Sequence, residues 1–182
     1  MKFVTQRPHI ELDDYLPYLI NRVGWALALE FVQGPLAHDR LNIAMWRALA
    51  VLSNDGAQRQ IDVAIKTSID VSTLSRAATR LAKMGLVTRA RSAKNNREVI
   101  VRLTAKGRAV LDRVVPAALA AERNAIRGLS ARELAVVRRC LRRMHENVSK
   151  LSQQAATAPR TGARASRRRV TMKSALNRSI GA

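Results

Sequence analysis

Residues 71–87, VSTLSRAATRLAKMGLV, decide how this chain folds. Val71, Leu74, Ala77, Ala78, Leu81 and Met84 recur at the i, i+3, i+4, i+7 spacing of a helix lying on a core. The other side carries only small hydroxyls and cations: Ser72, Thr73, Ser75, Arg76, Thr79, Arg80 and Lys83. No aspartate or glutamate falls in the segment. Gly85 ends the helix, and the pattern then switches to period two. A helix with this outer face can enter a DNA major groove. Hydroxyls and arginine bond phosphates and base edges, and no carboxylate repels the backbone.

The elements on either side fit the same purpose. Upstream, Gln60 to Lys66 reads as a short helix, and Asp70 is placed to cap the next one. Helix, tight turn, helix is the helix-turn-helix arrangement. Downstream, Leu86 to Arg91 is a strand, residues 92–97 a polar turn, and Val99 to Leu103 the returning strand. A hairpin with a basic tip, directly after a recognition-type helix, is a wing.

Further out, Leu12, Leu16, Leu19, Val23 and Leu27 mark a long helix from Glu11 to about Val32, ended or bent by Gly34-Pro35. Asn42 to Leu52 is a second helix, closed by the turn signal Ser53-Asn54-Asp55-Gly56. Past the wing, Thr104 caps a helix running through Leu111, Val114, Val115 and Leu119, which Pro116 can kink. Ser130 and Glu133 form a capping box that opens the last helix. There Leu134, Val137, Leu141, Met144, Val148 and Leu151 alternate steps of three and four, the seam of a packed helix pair. Packing inside one monomer and packing between subunits both fit. The second is favoured, because an extended terminal helix has little monomer core left to cover.

Composition narrows the partner. A 182-residue chain with 47% hydrophobic residues can bury a core, and its net charge of +20 favours a polyanion. Residues 152–182 hold seven cations and no acidic residue, in the manner of a disordered basic tail. Removing those seven from +20 still leaves +13 on residues 1–151. Aromatics at 3% disfavour single-strand binding by base stacking. One cysteine permits no intrachain disulfide, which suits a reducing cytoplasm. Neither a signal peptide nor a membrane-spanning apolar run is visible. The expectation is a cytoplasmic, nucleoid-associated protein.

The order of elements resembles the MarR family of winged-helix transcription regulators. Residues 41–49, Asp70 to Arg89, and Arg97 to Gly107 carry the likeness, within a covered span of about 11–151. The resemblance implies a mainly α fold with a small β-hairpin wing, a winged helix-turn-helix in a dimeric MarR-like architecture. Its core would span about 41–104 and its dimerisation helices the rest of 11–151, with a lead-in over 1–10 and the tail over 152–182. It further implies a homodimer placing two recognition helices on a palindromic operator, commonly a repressor released by a small aromatic carboxylate. Arg97 matches the family's minor-groove arginine. Asn95 stands where the family usually has an aspartate two residues earlier, so that arginine is not held by charge.

Several residues carry a second reading. Tyr15, Tyr18, Arg22 and Trp25 share one face of the first helix, and Trp46 can approach them. Aromatic walls around an arginine suit an aromatic carboxylate, although core or dimer packing explains the same residues. Cys140, among Arg138, Arg139, Arg142 and Arg143, is either packing or a redox-sensitive thiol. His9, His38 and His145 have no metal-ligand spacing. No catalytic motif or cofactor fingerprint is present in the sequence, so neither enzyme activity nor a cofactor is expected. The competing function is an architectural DNA binder with little sequence preference.

Overall fold

The computed structural model describes residues 9–93 and 95–157. Most of the tail, the first eight residues and Lys94 lie outside them. The chain divides into two compact units, Met1–Leu129 and Ser130–Ala182.

The first unit opens with α1, Leu16–Gln33, followed by the single turn α2, Pro35–His38. Expected from Glu11, α1 starts at Leu16 because Pro17 lies in its first turn, where a missing N–H costs nothing. Then come α3 (Ile43–Asp55), β1 (Gln58–Arg59), α4 (Gln60–Thr67) and α5 (Val71–Lys83). The wing strands are β2 (Val87–Arg91) and β3 (Val99–Leu103), and α6 (Ala105–Ala125) closes the unit. Helix α3 runs through most of the expected turn Ser53–Gly56. Only Gly56, at φ 74, breaks it.

Helices α3, α4, α5 and α6 enclose one core. Leu36, Met45, Leu49, Leu52, Leu74, Leu81 and Leu86 are fully buried in it. Each such side chain contributes on the order of 1.5–3 kcal/mol. From α5 the core takes Leu74, Ala77, Ala78 and Leu81, while Val71 is half exposed. The α4–α5 turn uses Ser68 at φ 54, a left-handed conformation that closes α4 through its backbone N–H. The wing is a three-stranded antiparallel sheet in the order β1-β3-β2. Its third strand, β1, pairs Gln58 with Val101 and Arg59 with Ile100.

A tight junction joins the wing to α6. Thr104 Oγ1 donates to the carbonyls of Gly85 (2.8 Å) and Leu86 (3.0 Å) and accepts from Gly107 N–H (3.0 Å). Gly107 is required because a Cβ there would lie 2.1 Å from the Leu86 carbonyl oxygen.

The second unit contributes α7, Ala131–Thr157. Its capping box is formed. Ser130 N–H donates to Glu133 Oε2 at 2.7 Å, and Glu133 N–H to Ser130 Oγ at 3.3 Å. Those contacts hold the Glu133 carboxyl below the usual glutamate range, the Ser130 hydroxyl contributing most. Within its own unit, α7 leaves Val137, Leu141 and Val148 exposed and Leu134 and Met144 half-buried. Cys140 is exposed on the same helix. Among the described residues, no helix is long and apolar enough to cross a membrane.

Candidate nucleic-acid interface

Asp70 begins the site. Its Oδ1 accepts the Thr73 N–H at 2.8 Å and the Ser72 hydroxyl at 2.6 Å. These bonds, the Ser72 hydroxyl first, hold its carboxyl well below the usual range. A permanent negative charge therefore sits on the positive end of α5, where the helix dipole favours it. Ser72 is exposed but gives its proton to Asp70, which leaves its oxygen as an acceptor.

Along the helix, Arg76 is exposed and its Nη2 donates to Thr73 Oγ1 at 2.9 Å. This i,i+3 bond restrains the guanidinium over the first turn. Ser75 is half-buried. Arg80 and Lys83 are exposed near the far end, and Arg80 Nη2 reaches the Arg40 carbonyl at 3.3 Å. Thr79 is engaged on both sides: its hydroxyl donates to the Ser75 carbonyl (2.9 Å) and accepts from Arg89 Nη1 (2.6 Å).

Arg89 was not singled out in the sequence, yet it joins three elements. From β2 it reaches Thr79 on α5 and, through Nη2, Gln60 on α4 at 2.9 Å. Both acceptors are neutral, and its Nε is buried without a partner among the described residues. The signal was its parity with Val87: residues two apart on a strand share a face, and Val87 is buried.

At the wing tip, Asn95 Oδ1 accepts the Arg97 N–H at 3.1 Å, so the asparagine shapes the backbone rather than holding the guanidinium. The Arg97 side chain is exposed and has no hydrogen-bond partner among the described residues. The wing is anchored at its base instead. Arg59 Nη1 bonds Glu98 Oε1 at 3.0 Å, while Nε and Nη2 grip Asp62 at 2.6 and 2.8 Å. Asp62 bonded to Arg59 sits below the usual aspartate range.

The candidate ligand residues do not form one cluster. Arg22 lies over the Tyr18 ring, 5.6 Å from its centroid. Trp46 meets Phe31 edge-on at 5.2 Å on the core side. Among the described residues it makes no ring contact with Tyr15, Tyr18 or Trp25. Tyr15 and Trp25 are exposed.

A helix-turn-helix whose second helix exposes cations, followed by a wing with an unengaged arginine, defines a winged-helix module of the DNA-reading type. The MarR family model matches residues 41–99. A MarR-family transcriptional regulator from Silicibacter pomeroyi is 32% identical, over 78% of this chain and 97% of that one, with a TM-score of 0.70. A probable transcriptional regulator from Pseudomonas aeruginosa is 29% identical over 74% and 99%, with a TM-score of 0.65. BpsR of Bordetella bronchiseptica, solved to explain regulation of its DNA binding by 6-hydroxynicotinic acid, is 26% identical over 76% and 98%, at 0.68. No curated protein matches. The chain belongs to the MarR family of transcriptional regulators.

Proposed function

We propose that this regulator is a homodimeric, sequence-specific repressor, released from a palindromic operator by a small aromatic carboxylate. The observation that carries the reading is the exposed face of α5, with Arg76, Arg80 and Lys83 beside the unengaged Arg97 of the wing. Thr73, Ser75 and Arg76 supply the base-side contacts, with Ser72 as an acceptor. An arginine bidentate to guanine supplies roughly 1–3 kcal/mol of discrimination. Arg80 and Lys83 hold phosphates. Arg97 enters the minor groove, where narrow A·T stretches concentrate negative potential.

Uncovered apolar side chains support the dimer. Leu16, Ile20, Val23 and Trp25 are exposed on α1, as are Val137, Leu141 and Val148 on α7. A second copy removes such surface from water, and a twofold axis sets two α5 helices about 34 Å apart. For the ligand, Arg22 beside Tyr18 suits a ring bearing a carboxylate, with Tyr15 and Trp25 as walls. The compound named with BpsR is an acid of that class. Trp46 packs on Phe31 on the core side and stays outside this grouping.

The test is fluorescence anisotropy on DNA from upstream of the gene, against scrambled DNA, across a salt series. The repressor reading expects a preference of roughly a thousandfold or more, with two subunits per site. Equal affinity with a steep salt slope would replace it with an architectural role.

A further inference from the structure

A cavity of about 430 Å³ lies behind the recognition helix, away from the aromatic residues of α1. The turn after α2, the end of α5 and one face of α6 form it. Its floor is apolar, made by Met84, Leu86 and Val110. Its rim is cationic. Arg40, Lys106 and Arg113 border it against one carboxylate, Asp39. The volume is in the range of small-molecule sites, about 300–1,000 Å³, and holds a single ring with its substituents.

Two of the rim groups, Lys106 and Arg40, are tied to the end of the recognition helix. Lys106 Nζ donates to the carbonyl of Met84, the C-cap of α5, at 2.9 Å. Arg40 offers its carbonyl to Arg80, and its own backbone is left-handed at φ 52. Arg113 Nη2 donates to Asp39 Oδ1 at 2.7 Å. Lys106 keeps two N–H donors beyond the Met84 bond, and Arg113 also retains donors beside its ion pair. A cation at a helix C-terminus stabilises that end, so drawing Lys106 away loosens the last turn of α5.

We propose that this cavity binds a small organic dianion with an apolar ring, which takes Lys106 and Arg113 as partners and thereby weakens the hold on the recognition helix. It is distinct from the Arg22–Tyr18 grouping proposed above. Its effect on DNA rests on the repressor reading, whereas the binding itself does not.

Phthalate, with benzoate as its single-charge counterpart, is the probe. Binding is read without DNA by the methyl NMR signals of Met84, Leu86 and Val110 in the full chain. We expect a saturable Met84 shift, stronger for phthalate than for benzoate. Lys106→Gln and Arg113→Gln should each weaken the phthalate-dependent Met84 shift about tenfold, whereas the Arg22 grouping, which would take phthalate independently, should not alter that shift when Arg22→Gln is made. No Met84 shift at 20-fold molar excess and above, up to millimolar phthalate, overturns the site. So does a shift that Arg22→Gln abolishes or that both cavity variants leave intact. Circular dichroism verifies that each variant is folded, and Lys106→Arg, which keeps the charge, should retain binding; loss of binding there as in Lys106→Gln overturns the charge-based recognition. Once binding is established, saturating phthalate should weaken specific DNA binding several-fold. Unchanged DNA affinity overturns the coupling while leaving the site in place.

Discussion

Gly107→Ala tests the junction between wing and α6 most directly. The added methyl would lie 2.1 Å from the Leu86 carbonyl oxygen, 2.7 Å from Leu103 Cδ1 and 3.1 Å from the Leu86 carbonyl carbon. Leu103 is the end of a flexible side chain and can yield. The carbonyl cannot, because Thr104 holds it through both its N–H (3.1 Å) and its hydroxyl (3.0 Å). Relief therefore requires a shift of about 1 Å between the start of α6 and the entry to β2, to restore ordinary van der Waals separation. Overpacking against backbone costs about 2–3 kcal/mol. Exchanging glycine for alanine in a helix returns at most about 0.5–1 kcal/mol. The net loss is about 1–2.5 kcal/mol, or roughly 2–10 °C in Tm for a chain of this size. Thermal melts followed by circular dichroism measure it. Gly24→Ala, where no atom lies within 4 Å of the new Cβ, is the control and should not lower Tm. A Gly107→Ala protein that melts with the wild type would refute the claim that the junction is rigid.

Arg89→Lys keeps the charge but cannot reach Thr79 and Gln60 together. It should lower DNA affinity about tenfold while leaving the salt slope unchanged, as anisotropy across salt would reveal. Arg76→Ala should flatten sequence preference at one operator position by roughly 1–3 kcal/mol. Arg97→Ala should weaken binding most where the wing meets a narrow A·T stretch, and reduce the salt slope by about one charge. Glu133 is held below its ordinary pKa, so its capping contribution is full above the ordinary glutamate range. It is lost as pH falls through the depressed value. The protection of the Ser130 amide, taken relative to its intrinsic exchange rate, should accordingly fall in acid below the ordinary glutamate range. On the proposed dimer, Leu141→Glu on α7 should leave only monomers in analytical ultracentrifugation.

The recognition helix was legible because its amphipathic period, aspartate cap and terminal glycine agree. Strand β3 was legible for a similar reason, the β-branched run Val99-Ile100-Val101 following a polar turn. Other features depended on partners far away in the chain. Strand β1 is two residues long, too short for any period, and exists only because Arg59 and Gln58 pair with β3. Helix α2 is a single turn. Val71 fitted the apolar stripe by spacing, yet it sits at the first position of α5, beyond the edge of the core. At the site, exposure of Arg76, Arg80, Lys83 and Arg97 follows from the pattern, while the engagement of Ser72 and Thr79 does not. A hydroxyl's spacing does not say whether its proton goes to DNA or to a neighbouring carboxylate. Arg89 was obscured by its charge, which reads as surface until its strand parity is weighed.

Because β3 lies between β1 and β2, the wing shares its central strand with the helical body. Its two long strands stay in register up to Arg91 opposite Val99, where the ladder ends. Insertions or deletions confined to the wing tip would leave every strand pair and every core residue in place. Lineages carrying this scaffold can therefore change how far, and with what charge, they probe DNA without renegotiating the stability of the fold.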